Sequence, residues 1–349
     1  MSLWKWERGI TAVEPRHRVE LGEGETALVR SRRLGEAFGM SQLYFKLETT
    51  NPSGSFKDRF ASVAVSHMLS VGQTRCIATS SGNTGAALAA YCAAAGLRCD
   101  IAIVETAPMG KLSQMLAYDA HIYRVRGFGL NPIITEQVIQ RLEQLAQAPD
   151  AALQISAFKY SPVGMSGVRT LGYELMSQLP ECRHVFCPTG GGGLSLGVAE
   201  AYQWDDGLAR VHVVQPVGND TISGPLRDGD ESARSVNCSA EISGLQVASV
   251  IDGNEAIKTC RQTGGTGFLV EDDWTWEIQA RLAETEGIFT EPAGAIATAA
   301  AIQAVQQGTV SADEPMVCLV TGSGFKDPNS VERMNSIRRC PLIDADEIV

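Results

Sequence analysis

Four consecutive glycines, at positions 190–193, are the run of residues with the most direct chemical meaning. They follow a short apolar run that is typical of a strand, 184–187, and they precede a helical pattern. Backbone N–H groups in such a loop converge on an anion, and the positive end of the following helix adds to the attraction. A flexible turn is the alternative, but turns rarely need four glycines. The loop therefore predicts a phosphate-binding site.

Lys57 is one of only seven lysines, and it lies at the start of a predicted helix that begins near Phe56. Ser55, followed by Asp58 three residues later, predicts a capping box for this helix. A lysine in the first turn opposes the helix dipole, which lowers the pKa of the amine and favours its neutral form. A neutral amine is what attacks a carbonyl carbon to form an imine. A surface lysine partnered by Asp58 is the alternative.

Polar side chains follow two further predicted strands. Ser81, Asn83 and Thr84 come after the strand at 76–79, where hydroxyls, an amide and helix N-terminal N–H groups would bind a carboxylate. An ordinary helix N-cap explains these residues equally well. Thr321 ends an apolar run, so its hydroxyl would point into the crevice at the carboxyl ends of the strands, where open α/β sheets bind ligands. A strand-end turn is the alternative for Thr321.

The chain that carries these residues alternates between short β-rich runs and longer helical runs. This order predicts parallel sheets covered by helices. We expect an α/β fold of two open twisted parallel-sheet domains, with helices on both faces and a cleft between the domains. The main predicted strands are 43–47, 76–79, 100–104, 122–125, 153–156, 184–187, 211–215 and 316–320, and the main predicted helices are one from about 56, one ending at Gly96, 112–118, 133–147, 167–178, 253–261, 273–286 and 292–306.

Length and composition limit the classes of function. The chain has 349 residues, 44% of them hydrophobic and 20% charged, which corresponds to a globular protein of about two domains. It carries 29 Lys+Arg against 40 Asp+Glu, a net charge of −11. An acidic chain has no electrostatic footprint for nucleic acid or for anionic membranes. Small molecules or other proteins are the expected partners.

The cysteines and the amino-terminal sequence indicate in which cellular compartment the protein is expected. The nine cysteines include no C-x-x-C pair, and we expect reduced, buried thiols in a cytoplasmic protein. Cys182, His184 and Cys187 lack a matching second half, so no metal site is predicted. The amino terminus has no secretory h-region. The longest apolar stretch, 85–97, is too short to span a bilayer.

The four chemical features together suit one cofactor, pyridoxal phosphate. The run from Asn51 to Arg59, Asn-Pro-Ser-Gly-Ser-Phe-Lys-Asp-Arg, resembles the lysine motif of fold-type II pyridoxal-phosphate enzymes, the tryptophan synthase β-subunit superfamily. Three further motifs of that superfamily follow in order, at 81–84, 190–193 and 286–293. The resemblance covers the chain from about residue 20 to 328.

Within the superfamily the chain is most similar to the threonine synthase family, by its motifs at 21–26, 110–114 and 321–328. The resemblance implies an enzyme that removes a β- or γ-leaving group from a small α-amino acid and adds water or another nucleophile. It also implies a homodimer, in which a movable small domain, 41–159, is set within a large one, 1–40 and 160–349.

Roles for individual residues follow from the same resemblance. Lys57 would form the imine with pyridoxal phosphate and move protons at the substrate's α and β carbons. Asn83 would bind the cofactor's phenolic oxygen, and Thr321 would meet its pyridine nitrogen. The substrate carboxylate would be held by Ser81, Asn83 and Thr84, and the cofactor phosphate by Thr189, Gly190, Gly191, Gly192 and Gly193.

The segment that reaches the substrate's phosphate departs from the threonine synthase pattern. Phe158 and Lys159, followed by Ser-Pro-Val-Gly at 161–164, stand where that family has Asn-Ser and then Asn-Pro-x-Arg. Lys159 or Arg169 would then replace the missing arginine as a point charge. The glycine loop, Gly-Gly-Gly-Gly-Leu, is closer to threonine dehydratases and cysteine synthases. A threonine/serine ammonia-lyase, a β-replacing synthase and a non-catalytic cofactor-binding protein remain alternatives.

Overall fold

The structure, a computed structural model, describes residues 2–80, 82–107, 109–345 and 348. Two sheets organise the chain, and helices separate most consecutive strands. The strands are β1 (Leu28–Arg30), β2 (Leu43–Leu47), β3 (Arg75–Thr79), β4 (Arg98–Ile103), β5 (His121–Arg124), β6 (Ala151–Gln154), β7 (His184–Pro188), β8 (Arg210–Pro216), β9 (Gly267–Val270) and β10 (Met316–Val320).

Most of the helices lie between strands and cover the sheets. Two of them, at 83–95 and 292–306, are rich in alanine and are buried along most of their length, as helices that pack on a parallel sheet should be. The helices are α1 (Leu34–Ala37), α2 (Lys57–Ser70), α3 (Asn83–Ala95), α4 (Met109–Ala117), α5 (Pro132–Leu145), α6 (Pro162–Met165), α7 (Arg169–Gln178), α8 (Gly193–Trp204), α9 (Ser223–Asp228), α10 (Gly253–Gln262), α11 (Asp272–Arg281), α12 (Pro292–Gln306) and α13 (Pro328–Asn335).

The larger sheet has six strands in the order β1-β2-β10-β7-β8-β9, and the smaller has four in the order β5-β4-β3-β6. All neighbours pair in parallel except β1, which runs antiparallel to β2. The predicted α/β class with two parallel sheets is therefore confirmed. Among the helices of the described residues, none is both long and apolar enough to cross a membrane.

Strand β2 lies in the larger sheet, although its residues belong to the predicted small domain. It pairs with β10 over five residues, from Leu43 opposite Met316 to Leu47 opposite Val320. The four strands of the smaller sheet lie between Arg75 and Gln154. The exact division of the chain into domains stays a prediction.

The start of α2 differs from the predicted capping box. Phe56 is the N-cap residue and its side chain caps nothing. Asp58 accepts a hydrogen bond from the backbone N–H of Ser53 at 2.6 Å and another from the Ser53 hydroxyl. Gly54, with φ of +90°, turns the chain between the two residues. The loop thus folds back onto the first turn of the helix, and Asp58 is engaged by Ser53 instead of Ser55.

A buried ionic network fixes α2 to the larger sheet. Arg59 donates to both oxygens of Glu48, at 2.7 Å each, and to both oxygens of Glu174, at 2.6 and 2.8 Å. Lys46, from β2, donates to Glu174 at 2.7 Å. All four side chains are buried, and their two positive and two negative charges cancel. The network sets the position of the helix that carries Lys57.

Candidate active site

The carboxyl ends of strands from both sheets meet at a cleft of about 870 Å³. Loops after β3, β6, β7 and β10 line it, which is where an open α/β fold binds ligands. The cleft brings together most of the residues predicted from the sequence, although they lie up to 264 positions apart. The predicted residues that line it are Lys57, Asn83, Thr84, Gly190, Gly191, Gly192, Gly193 and Thr321.

Lys57 extends from the first residue of α2 into this cleft. Its Nζ lies 2.5 Å from the hydroxyl oxygen of Ser156 and 4.5 Å from the ring centroid of Phe56. Burial lowers the pKa of Lys57 to about 8, against the opposing effect of the carboxylates of Asp252 and Glu291. The sequence attributed the lowered pKa to the helix dipole, whereas the structure gives burial as its main cause. The amine is therefore substantially neutral near pH 8.

The glycine loop leaves little room for side chains at Gly190 and Gly192. A Cβ on Gly190 would lie 3.0 Å from the carbonyl oxygen of Gly244, and one on Gly192 would lie 3.0 Å from the carbonyl carbon of Asp252. Gly192 also has φ of +102°, a conformation that other residues rarely adopt. Helix α8 begins directly after it at Gly193. The loop thus presents bare backbone at a helix N-terminus, which fits the phosphate of the predicted cofactor.

Asn83 forms a contact across the cleft. It is the first residue of α3, and its side-chain amide donates to Glu291, directly before α12, at 2.7 Å. Glu291 is only 7% exposed. The sequence motif at 286–293 contained Glu291 but assigned it no role. Thr84, the next residue of α3, also lines the cleft.

Thr321 lies at the end of β10 and is 3% exposed. Its carbonyl oxygen accepts a hydrogen bond from the backbone N–H of Phe56 at 3.0 Å, so the lysine loop and the end of β10 are held together. A Cβ on the following residue, Gly322, would lie 2.2 Å from a carboxylate oxygen of Glu291. A side chain at that position would displace the carboxylate of Glu291 from this turn.

Other predicted site residues lie elsewhere. Thr189 is buried, and its hydroxyl donates to the carbonyl oxygen of Cys187 at 2.8 Å. Lys159 is exposed, with its Nζ 5.3 Å from the ring of Tyr160. Neither is among the described residues that line the cleft. Ser81 lies outside the described residues.

Arg169, the other candidate for the missing arginine, is engaged away from the cleft. Its Nε donates to Glu200 at 2.6 Å. The guanidinium also lies 5.1 Å from the ring of Phe158 and 4.5 Å from the ring of Trp204. Arg169 is not among the described cleft residues, so its charge is neutralised by Glu200 where it stands.

Among the cleft residues that were not predicted from the sequence, Ser156, Asp252 and Lys326 bear most directly on the chemistry of Lys57 and of a bound anion. Asp252 accepts the backbone N–H groups of Phe158 and Lys159 at 2.8 and 2.9 Å, and burial raises its pKa. Ser156 and Asp252 are single polar residues in loops and have no local motif. Lys326 belongs to the motif at 321–328, which was a signal that it could be functional.

Lys326 brings a second lysine to the cleft. Its Nζ donates to the side chain of Gln114, on α4, at 2.5 Å. Burial lowers the pKa of Lys326, while the carboxylates of Asp58 and Glu291 raise it. Asp58 is itself buried, and burial raises its pKa to about 7. Lys326 thus joins the carboxyl-terminal region to the helices of the smaller sheet.

Comparison with known proteins agrees with this site. Residues 19–322 match the family model described as pyridoxal-phosphate dependent enzyme. The chain is 30% identical to threonine synthase of Methanosarcina acetivorans over 342 residues, which is 95% of this chain and 81% of that protein. It is also 30% identical to threonine synthase of Mycobacterium tuberculosis H37Rv over 333 residues, 93% of this chain and 88% of that protein.

Solved structures show the same fold. The processed form of threonine deaminase isoform 2 from Solanum lycopersicum is similar with a TM-score of 0.78 and 21% identity, over 97% of this chain and 94% of that one. Maize serine racemase is similar with a TM-score of 0.74 and 24% identity, over 90% and 92%. Family match, relatives and cleft agree: this chain belongs to the pyridoxal-phosphate dependent enzymes of fold type II and is threonine synthase-like.

Proposed function

We propose that this enzyme is a carbon–oxygen lyase that removes a β- or γ-leaving group from a small α-amino acid and adds water, in the manner of a threonine synthase. One observation carries the proposal. The amine of Lys57, with its pKa lowered to about 8, lies in the same cleft as the bare backbone of 190–193. Pyridoxal phosphate needs two attachments, an amine that forms an imine with its aldehyde and a loop that binds its phosphate.

The residues present fit the cofactor. The backbone of Gly190, Gly191, Gly192 and Gly193 would hold its phosphate, and Lys57 would hold its aldehyde carbon. Asn83 would bind the phenolic oxygen and Thr321 the ring nitrogen. When bound, the cofactor supplies an electron sink for negative charge at the substrate's α-carbon. A neutral threonine hydroxyl at the ring nitrogen leaves that nitrogen largely unprotonated.

Lys57 is the proton carrier of the proposed reaction. Its neutral amine accepts the proton from the α-carbon, and the hydroxyl of Ser156 supplies a hydrogen-bond partner for the amine. The carboxylates of Asp252 and Glu291 favour the ammonium that results. For a γ-leaving group the amine would also take a proton from the β-carbon before water adds there, and it would return a proton at the α-carbon to complete the product.

The two ends of the substrate meet different groups. The N-terminal N–H groups of α3 and the hydroxyl of Thr84 would bind its carboxylate, together with the predicted Ser81. We propose that Lys326 receives the leaving group, because it lines the cleft and the carboxylates of Asp58 and Glu291 favour its charged form against the effect of burial. Lys159 stays a prediction for this role, with its ammonium exposed.

A threonine/serine ammonia-lyase is the second candidate. It is favoured by the positions of Lys159 and Arg169, because neither of them offers the cleft a clamp for a phosphate group. An uncharged hydroxyl is a smaller leaving group and needs no such clamp. The structure of threonine deaminase isoform 2 from Solanum lycopersicum has the same fold.

Product analysis separates these functions. The holoenzyme is incubated in turn with O-phosphohomoserine, O-phosphoserine, threonine and serine, and products are followed by amino-acid chromatography. The proposal predicts threonine and inorganic phosphate from O-phosphohomoserine. Consumption of threonine or serine alone, with release of a keto acid and ammonia, would establish the second candidate instead. Turnover of none of the four, in a protein that binds the cofactor, would indicate a binding protein.

We further propose a cytoplasmic homodimer. All nine cysteines are free, and seven of them are buried, which supports a reducing compartment. The dimer rests on the family resemblance. Light scattering of the purified holoenzyme during gel filtration gives the mass of the assembly, and a mass near 37.3 kDa would contradict the dimer.

A further inference from the structure

Three cysteine thiols meet in the smaller sheet, away from the cleft. Cys76 lies on β3, Cys92 on α3 and Cys99 on β4, and their sulfurs all lie within 4.8 Å of one another. Cys76 and Cys99 are register partners on neighbouring parallel strands, so their side chains share one face of the sheet. Helix α3 brings Cys92 to that face.

The cluster is enclosed by apolar side chains. Cys76 and Cys92 are fully buried and Cys99 is 5% exposed. They belong to the same hydrophobic core as Tyr91 and Met115. In such surroundings a bound group of low net charge is strongly favoured, because the charge of a buried ion is not compensated by water.

The number of ligands limits which ions the three cysteines can bind. Among the described residues, no histidine or carboxylate joins the three sulfurs. The carboxylate of Asp100, next to Cys99, is engaged by Arg75 at 2.6 Å and Arg98 at 2.9 Å. A structural zinc ion requires four ligands. Three thiols in apolar surroundings therefore favour a soft ion whose coordination is complete with three sulfur ligands.

We propose that Cys76, Cys92 and Cys99 form a three-sulfur site for one soft, thiophilic ion, with trivalent arsenic, entering as arsenous acid, as the occupant. Three arsenic–oxygen bonds break and three arsenic–sulfur bonds form. Each thiol proton leaves with a hydroxide as water, so three waters are released. The oxidation state of arsenic does not change, and the adduct is neutral, as the apolar surroundings require.

The geometry needs little adjustment. Bonds of about 2.3 Å to one arsenic atom, which is pyramidal because of its lone pair, place three sulfurs about 3.5 Å apart, so each sulfur has to move by less than about 1 Å. Ligation would tie together β3, α3 and β4. Since β3 ends at Thr79 and α3 begins at Asn83, the bound ion would brace the two elements that lead into the cleft.

The test loads reduced holoenzyme with arsenous acid and removes the excess by gel filtration. Native mass spectrometry should then show one arsenic per chain, with the mass of arsenic added and three hydrogens lost. The midpoint of thermal unfolding should rise, because the ion binds only the folded site. Zinc under the same conditions should not be retained, since the site lacks a fourth ligand.

Matched variants locate the site. Cys92→Ala, in an alanine-rich helix, and Cys76→Val, in a strand, should each reduce arsenic retention at least tenfold. Cys238→Ala and Cys340→Ala, both outside the cluster, should retain arsenic as the unmodified chain does. The visible band of the cofactor and circular dichroism report whether each variant has folded.

X-ray absorption spectroscopy of the arsenic-loaded, unmodified protein identifies the atoms bonded to arsenic and needs no variant. Three sulfur neighbours and no oxygen around the arsenic are expected. Two sulfurs with one oxygen, zinc retained as firmly as arsenic, retention that survives both Cys92→Ala and Cys76→Val, or no retention at all would each overturn the proposal.

Discussion

At the scale of single residues, the reactivity of Lys57 depends on a balance between burial and charge. Burial favours the neutral amine, whereas Asp252 and Glu291 favour the ammonium. The pKa of about 8 is therefore low enough to give a nucleophile and high enough to allow the amine to hold a proton. Removal of the charge of either carboxylate should therefore lower the pKa of Lys57.

Glu291→Gln should lower the pKa of Lys57, because it removes a negative charge that favours the ammonium. The amine reacts in its neutral form, so the rate at which apoenzyme rebinds pyridoxal phosphate should rise with pH through a midpoint near 8. In the variant the midpoint should lie at lower pH. Visible absorbance followed after mixing measures this rate.

Glu277→Gln is the control for that experiment, since Glu277 pairs with Arg281 on the exposed face of α11. It should leave the midpoint unchanged. An unshifted midpoint in Glu291→Gln, or a midpoint near the ordinary lysine value of 10.5 in the unmodified protein, would contradict the proposed balance.

Lys326→Gln tests the leaving-group role. A hydrogen bond to a charged group contributes about 1.5–3 kcal/mol, so kcat/KM for O-phosphohomoserine should fall by roughly 10- to 100-fold. The value for threonine as an ammonia-lyase substrate, where it is turned over, should change little. Lys258→Gln, at an exposed position on α10, is the matched control. Equal losses for all substrates would indicate that Lys326 acts only by holding Gln114.

At the scale of elements, the ionic network around Arg59 fixes helix α2, and with it the first residue of that helix. Glu174 lies 115 positions after Arg59 and 128 after Lys46, so no local pattern indicated the network. The neighbouring cations lower the pKa of Glu174 to about 2, against the effect of burial. Its stabilising contribution is present above pH 4.5 and is lost as the pH falls towards 2.

Glu174→Gln should lower the free energy of unfolding by about 3–5 kcal/mol, since the buried cations Arg59 and Lys46 would then share the single negative charge of Glu48. Glu277→Gln, which breaks an exposed pair on one helix, should cost no more than about 1 kcal/mol. Denaturant unfolding at pH 7 measures both. Equal costs for the two variants would show that the buried network does not hold α2 in place.

Gly192→Ala should weaken cofactor binding. A side chain at φ of +102° costs about 1–2 kcal/mol, and its Cβ would press on the backbone of Asp252. Gly229→Ala is a close match, with φ of +90° and nothing near its Cβ. Both variants should lose stability, but only Gly192→Ala should raise the dissociation constant of pyridoxal phosphate in equilibrium dialysis. An unchanged dissociation constant would contradict the proposal that the loop at 190–193 holds the cofactor phosphate.

At the scale of the whole molecule, much of the architecture could be predicted from local patterns. The predicted strands at 43–47 and 316–320 have the observed bounds, because each is a short apolar run between clear turns. Strands β1 and β9 were missed, because β1 has only three residues and β9 begins with a glycine, a residue that is depleted in strands. In β9, Gly267 packs so closely that a Cβ would lie 1.8 Å from the carbonyl oxygen of Ser223.

The site was predictable only where a residue belongs to a motif. Lys57, Asn83 and Thr321, which line the cleft, were predicted because each lies at a strand or helix end within a short motif. Ser156 and Asp252 could not be found in this way, because only the fold brings them to the cleft. The placement of β2 in the larger sheet likewise depends on the fold, since β2 pairs with β10, some 270 positions later.

The central claim is that the amine of Lys57 holds pyridoxal phosphate in this cleft. Borohydride reduction of the holoenzyme makes that attachment permanent, and peptide mass spectrometry then locates the pyridoxyl group. The account predicts the label on Lys57, and a visible band that is lost in Lys57→Ala. A label on Lys46, Lys159 or Lys326, or a band that persists in Lys57→Ala, would contradict it.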